Sequence, residues 1–292
     1  MSAIYQGVFR VRHYECDIYG YLNNVNYLRY MQEVALDASA DVSWTVERYQ
    51  SIACQWLIRE TDIEYLQPLL WNDEVRITSY VIDFRRVQSR RRYEFHRVSD
   101  GELVARADTN WVFLNMETLR PTTIPDEMVK DFAPDGLPEV EAAEKFPEAV
   151  AQADDVFSIQ KRVEWRDIDT MGHVNNAAYM NYCEDISTQV GRDVGWSMQR
   201  MMDEGFALVM RRFRILYLEP ALLDDEVEIK TWFSDLKRAT ALRHYQLNRV
   251  SDGRVLAKAR ALMVCFDLEK QRLIRVPQHF IEDFRFNMSQ SG

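Results

Sequence analysis

One stretch of this chain is written twice. Arg10-Val11-Arg12-His13-Tyr14-Glu15-Cys16-Asp17-Ile18-Tyr19-Gly20-Tyr21-Leu22-Asn23-Asn24 returns as Arg162-Val163-Glu164-Trp165-Arg166-Asp167-Ile168-Asp169-Thr170-Met171-Gly172-His173-Val174-Asn175-Asn176, at an offset of 152 residues. The correspondence continues without a gap from Arg10/Arg162 to Phe132/Phe284. Roughly three positions in ten are identical, far more than chance gives an ungapped shift of this length. A chain of 292 residues so divided holds two similar domains, each large enough to close its own core. The repeat predicts an N-terminal domain over 1–132, a linker over 133–155 and a C-terminal domain over 156–292. The linker carries seven acids against Lys145, together with Pro134, Pro138 and Pro147, which suits an exposed connector.

Each copy predicts the same order of elements. A strand (Val8–Tyr14; Phe157–Arg166) leads into a polar Gly/Asn loop. A helix follows over Asn24–Ser39 and Asn176–Val190, with Tyr27, Tyr30, Met31 and Val34 at spacings of three and four. Asn at the loop–helix junction is a favoured cap. A weaker helical patch holds Asp41–Trp44 and Asp193–Trp196. Four strands then follow without an intervening helix: Cys54–Tyr65, Glu74–Phe84, Ser89–Val98 and Leu103–Leu114, with Phe206–Tyr217, Glu226–Ser234, Thr240–Val250 and Val255–Asp267 in the second copy. Ser99-Asp100-Gly101 and Ser251-Asp252-Gly253 supply hairpin turns, and a short helix near Pro125 or Pro277 closes each copy. Consecutive strands imply an antiparallel sheet, so the class is α+β.

Composition excludes several functions. A net charge of −10 argues against a nucleic-acid binder, and no apolar run is long enough to enter a membrane. Cys16, Cys54, Cys183 and Cys265 form no CxxC pair, so reduced thiols in a cytoplasm are expected rather than a disulfide frame or zinc site. No Gly-x-Ser-x-Gly elbow, phosphate loop or metal spacing is present. The acidic chain has one basic concentration. Arg85, Arg86, Arg90, Arg91, Arg92 and Arg97 share a predicted hairpin, echoed by Lys237, Arg238, Arg243, His244 and Arg249. As a basic face it would suit phosphates or an acidic protein surface; as a hairpin of alternating charge it would be merely solvated.

Strand, Gly/Asn loop, long helix and four antiparallel strands is the order of the hotdog fold. The loop resembles that of hotdog thioesterases typified by 4-hydroxybenzoyl-CoA thioesterase and the bacterial long-chain acyl-CoA thioesterases. The carrying residues are Asp167 through Asn176 with Tyr179, and Glu15 through Asn24 with Tyr27. Tyr65-Leu66-Gln67-Pro68 with Tyr217-Leu218-Glu219-Pro220, and Asp73-Glu74-Val75 with Asp225-Glu226-Val227, add to it. Two tandem copies are also similar to acyl-acyl-carrier-protein thioesterases, which carry Asp-x-Asn-x-His in the equivalent loop. Here the middle position is Met171 or Tyr19, and copy one has Tyr21 in place of His.

The resemblance implies two hotdog domains, each a sheet wrapped on one long helix and paired as an intrachain pseudo-dimer, with sites between copies. It implies hydrolysis of a fatty acyl-CoA or acyl carrier protein thioester to free acid and thiol. No cofactor is needed, since coenzyme A or phosphopantetheine arrives with the substrate. The catalytic acid falls on Asp169 and Asp17, as general base or nucleophile, with His173 orienting substrate or sharing proton transfer. The helix N-terminus around Asn24 and Asn176 would polarise the carbonyl. Substrate contacts are expected from Gly172, Asn175, Asn176 and Tyr179, from Gly20, Tyr21, Asn23, Asn24 and Tyr27, and from Arg90 and Arg91. Set against these roles, an Asp before a Gly is commonly a turn residue, the asparagines suit helix starts, and Glu33 and Asp185 suit solvated helix positions. Two other readings stay open: a non-catalytic acyl-thioester binding protein, and a hotdog hydratase or dehydratase. A homo-oligomer of the double unit is compatible with either.

Overall fold

The computed structural model describes residues 2–140, 142, 144–147, 156–236, 238–270 and 272–288. The chain divides into two compact units, Met1–Lys145 and Phe146–Gly292. Much of the expected linker, residues 141, 143 and 148–155, lies outside the described residues, as does Lys237.

Unit one runs β1 (Ile4–Arg10), α1 (Asn24–Asp41), α2 (Val46–Ser51), β2 (Cys54–Tyr65), β3 (Glu74–Phe84), β4 (Gln88–Arg97), β5 (Leu103–Asn115), β6 (Arg120–Pro121) and α3 (Asp126–Phe132). Its five long strands lie in the order β1-β3-β4-β5-β2, every pair antiparallel. Unit two repeats this with β7 (Phe157–Arg162), α4 (Asn176–Asp193), α5 (Met198–Asp203), β8 (Phe206–Tyr217), β9 (Glu226–Leu236), β10 (Thr240–Arg249), β11 (Val255–Asp267), β12 (Arg272–Leu273) and α6 (Gln278–Asp283). Its order is β7-β9-β10-β11-β8, again antiparallel. Strand β3 shows why the sheet is one-sided: Val75, Ile77 and Val81 are buried while the alternating Glu74 and Arg76 are exposed. The long helix covers the buried face. Tyr27, Tyr30, Met31, Val34 and Ala38 of α1, and Tyr179, Tyr182, Cys183, Ile186 and Val190 of α4, form its hidden stripe.

Several element ends differ from expectation, the long helices running on to Asp41 and Asp193, and two differences shape the loop region. The first strand of each copy stops at Arg10 or Arg162, and a 3-10 turn follows over His13–Glu15 or Trp165–Asp167. The turn closes on itself: Glu15 accepts from the Arg12 N–H at 2.8 Å, and Asp167 from the Glu164 N–H at 3.1 Å. Those amides have no need of a sheet partner. The weak helical patch also moves C-terminally, to α2 and α5. Ser43 (φ 66°) and Gly195 (φ 80°) turn left-handed, and Thr45 and Ser197 cap the new helices.

Unit two carries one buried titratable group with a stability consequence. His244 stacks on Trp232 at 5.4 Å, and its Nε2 lies 2.5 Å from Ser234 Oγ. Burial first, and the charge of Arg260 second, hold its pKa down at about 4 against an ordinary 6.5. The unfolded chain therefore binds a proton that the folded unit refuses. Stability is expected to be full above the ordinary value and to decline as pH falls towards about 4. Urea midpoints at neutral and mildly acidic pH check this, and His244→Gln should flatten part of the decline.

Candidate functional site

The polar loop of each copy is a closed hairpin set directly before the long helix. Bridges Cys16↔Leu22 and Ile168↔Val174 pinch its base. Inside, Asp17 N–H donates to Tyr21 O at 2.8 Å and Gly20 N–H to Asp17 O at 3.0 Å. The second copy matches: Asp169 N–H to His173 O and Gly172 N–H to Asp169 O, both 3.0 Å. Gly20 (φ 80°) and Gly172 (φ 78°) sit in the left-handed region, yet a Cβ at either would meet nothing within 4 Å. Backbone conformation alone therefore calls for glycine here.

The two aspartates are partly structural. Asp17 Oδ1 accepts from the N–H groups of Tyr19 (2.8 Å) and Tyr21 (3.1 Å), and Asp169 Oδ1 from Met171 N–H (2.9 Å). The turn-residue role is thus real. It occupies one oxygen; among the described residues no hydrogen-bond partner meets Asp169 Oδ2. His173 Nδ1 lies 3.7 Å from Asp169 Oδ1, with the two side chains 21% and 24% exposed. Copy one replaces this imidazole with Tyr21, half-buried and 6.4 Å from the Tyr19 ring. Burial raises the Asp17 carboxyl above the usual carboxylate range, against the opposing pull of the Tyr21, Tyr19 and Gly20 amides.

The helix starts next to this carboxylate. Asn23 and Asn175 are the caps, accepting from Val25 N–H (3.1 Å) and Ala177 N–H (2.9 Å). Asn24 and Asn176 are the first helical residues. Among the described residues no acceptor meets the Asn176 backbone N–H, which leaves a donor for an oxyanion. Asn175 N–H donates to Asp167 O at 2.8 Å, and Asn23 N–H to Glu15 O at 2.9 Å, so loop and helix start are hydrogen-bonded neighbours.

Residues outside the expected set hold this arrangement. Tyr30 OH donates to Glu15 at 2.7 Å and Tyr182 OH to Asp167 at 2.7 Å, tying helix to 3-10 turn. Tyr65 OH reaches Asn24 O (3.3 Å) and Tyr217 OH reaches Asn176 O (3.0 Å). Both contacts recur at the 152-residue offset, which is the signal by which they were findable.

The structure places several expected contacts inside the fold. Tyr27 and Tyr179, expected among the substrate contacts, are buried and brace the backbone. Tyr179 OH accepts from Ala221 N–H at 3.0 Å, burial pushes its pKa up to about 12, and Tyr27 is hidden likewise. Arg90 and Arg91 are each only 6% exposed, so neither offers a phosphate a surface. Arg91 donates to Ser79 Oγ at 3.1 Å and lies over the Phe132 ring. Much of the basic hairpin's charge is paired within the fold. Arg92 pairs with Asp108 (2.8 Å), Arg97 with Asp100 (2.6 Å), and Arg249 with Asp225 (2.9 Å), while Arg243 is buried. Strand pairing brings Asp108 of β5 to Arg92, while the turn residue Asp100 meets Arg97 within the hairpin itself. Glu33 is exposed, and Asp185 pairs with Lys161 at 2.8 Å, as solvated helix positions do. Among the described residues no cluster of metal-ligating side chains occurs, and no helix is long and apolar enough to cross a membrane.

Comparison with known proteins gives consistent matches. The family profile of the thioesterase-like superfamily matches residues 11–132 and again 163–284. The acyl-CoA thioester hydrolase YbgC of Escherichia coli O6:H1 is 32% identical over 130 residues, covering 44% of this chain and 96% of that protein. The chloroplastic acyl-[acyl-carrier-protein] hydrolase FATB2 of Cuphea viscosissima is 26% identical over 192 residues, covering 62% of this chain and 46% of that protein. In fold, the chain is similar to the 12:0-ACP thioesterase of Umbellularia californica, with TM-score 0.70, 20% identity, and coverage of 89% and 94%.

Proposed function

The chain belongs to the thioesterase-like superfamily, and we propose that it hydrolyses acyl thioesters of coenzyme A or acyl carrier protein to free acid and thiol. One observation carries the proposal: in each copy a loop aspartate, Asp169 or Asp17, lies in a closed hairpin set directly before a helix N-terminus, and the backbone bonds Asn175 N–H to Asp167 O and Asn23 N–H to Glu15 O hold hairpin and helix start together. Thioester hydrolysis needs that pair. The helix N-terminus stabilises charge developing on the carbonyl oxygen. Asp169, held by its Oδ1 and open at Oδ2, activates water as general base. His173 sits beside it to orient that water or the substrate. Asp17 has the same placement in copy one, with Tyr21 where copy two has His173. We place the reaction in the cytoplasm, in keeping with four free cysteines and no paired thiols.

Release of free thiol from a panel of aliphatic and aromatic acyl-CoA and acyl carrier protein thioesters tests the proposal. Turnover on at least one class is expected. Saturable binding without thiol release would reassign the chain as an acyl-thioester binding protein.

The two sites are also expected to differ in pH response. Burial raises the Asp17 carboxyl, so the base of copy one stays protonated to a higher pH than an ordinary carboxylate. A base must be ionised to act, so activity at that site is lost as pH falls and gained as it rises. An Asp169→Asn variant isolates copy one; its kcat/KM should show an acid limb above the usual carboxylate range. A limb at the ordinary value of 3.8 contradicts this.

A further inference from the structure

The surface beside each catalytic loop is apolar and aromatic, but its charge differs between copies. In copy one, His13 and Trp71 meet edge to face at 5.8 Å, and Trp71 is 61% exposed. The pair is fastened to the loop: Tyr21 bridges Leu70, and Leu22 N–H donates to Leu69 O at 2.8 Å. Arg10 and Arg12 flank it, both exposed, with Val11 buried between them. Alternation in an extended segment therefore sets both guanidiniums on the side away from the core. Arg10 reaches only Asn72, at 3.3 Å. Among the described residues no ion pair joins either guanidinium, and the Glu15 carboxylate is spent on the Arg12 backbone N–H at 2.8 Å and on Tyr30 OH at 2.7 Å.

Copy two keeps the first arginine as Arg162 and an exposed ring, Trp165 in place of His13, but adds acids around them. Arg12 becomes Glu164, which pairs with Arg166 at 2.6 Å. Asn72 becomes Asp224, which pairs with Arg162 at 2.8 Å. Trp71 becomes Leu223. Both mouths expose an aromatic ring; the difference is charge, with Arg10 and Arg12 at copy one and the paired Arg162–Asp224 and Arg166–Glu164 at copy two, on a chain whose net charge is −10. Exposed aromatics next to uncompensated guanidiniums match a ligand with a flat ring and several phosphates.

The geometry points to Arg10, Arg12, His13 and Trp71 as a binding site for the adenosine 3′,5′-bisphosphate portion of coenzyme A, serving the copy-one mouth alone. It rests on the proposed thioesterase function only for the identity of the thiol carrier. A flat purine stacks on Trp71 or His13, and the phosphates take the arginines. An acidic protein surface would use the cations but would not require exposed rings at their centre. The chain thereby distinguishes its two mouths by carrier, with coenzyme A recognised beside Asp17.

The test imports copy two's own residues, Arg12→Glu and Trp71→Leu, at exposed positions. Calorimetry with adenosine 3′,5′-bisphosphate on the full chain should detect binding to the parent protein. Either variant should weaken it about tenfold or more, the scale of one base–aromatic or phosphate contact. In an Asp169→Asn background, KM for acyl-CoA should rise about tenfold with kcat held. Hydrolysis of the matching acyl-N-acetylcysteamine thioester, which lacks the nucleotide, should be unchanged. Equal nucleotide affinity in parent and variants overturns the site. So does a KM shift confined to acyl carrier protein thioesters, which would make the patch a protein contact. Failure of the parent to hydrolyse any thioester overturns the proposed function instead, while calorimetry still decides the nucleotide site.

Discussion

Asp169→Asn is expected to lower turnover on acyl thioesters by about 10²–10⁴-fold, the loss associated with removing a positioned acid–base group. The substitution is nearly isosteric. Its amide oxygen can still accept from Met171 N–H as Asp169 Oδ1 does at 2.9 Å, so the loop should keep its shape. What disappears is the negative charge and the basicity of the open oxygen. KM should move little, since no binding group is removed. If copy one sustains its own turnover, the single variant keeps that share, and the full fall appears when Asp17→Asn is added. Steady-state rates on long-chain thioesters, with circular dichroism to verify folding, measure this. A double variant with near-normal kcat would remove both aspartates from the chemistry.

Trp196→Ala is expected to cost unit two about 3–5 kcal/mol, the range for deleting a buried large aromatic. Trp196 is 1% exposed and packs against Phe206 and Phe280 at 5.7 and 5.1 Å. Its Nε1 donates to Asp283 at 2.8 Å, and Arg200 lies over its ring at 3.8 Å. It thus pins the end of α4, the following helix and the closing helix together. Removing it leaves a cavity and also strands the Asp283 acceptor. Trp44 does the same in unit one, donating to Asp131 at 2.9 Å beneath Arg48 at 3.7 Å. The urea transition of unit two should move well below that of unit one. Trp196→Phe, which keeps most of the packing, should recover the larger part. Coincident transitions unchanged by Trp196→Ala would refute the packing account.

The element order was legible because its signals are local. Strands Cys54–Tyr65, Glu74–Phe84, Phe206–Tyr217 and Val255–Asp267 fall where alternation put them. The helix starts were legible because Asn capping is a one-turn event. Less visible were the 3-10 turns after Arg10 and Arg162, whose hydrogen bonds close within four residues and leave no periodic trace.

The loop itself was readable down to Asp17/Asp169 and Gly20/Gly172, since a left-handed glycine between an aspartate and a helix cap needs no distant partner. The roles of residues beyond the loop were not. Tyr27 and Tyr179 share a helix face with the site in sequence, but the strand connections at Leu69 and Ala221 take up their hydroxyls. Arg91 lies in a run of arginines, but strand pairing places it against Ser79 inside the sheet. Sequence by itself determined duplication, fold class, the polar Gly/Asn loop and where its two versions diverge, because each depends on residues within one repeat or one turn. Only the tertiary structure decided which charges are spent on neighbouring strands and which remain for a ligand. That balance includes partners far away in the chain, as Arg162 and Asp224, 62 residues apart, illustrate.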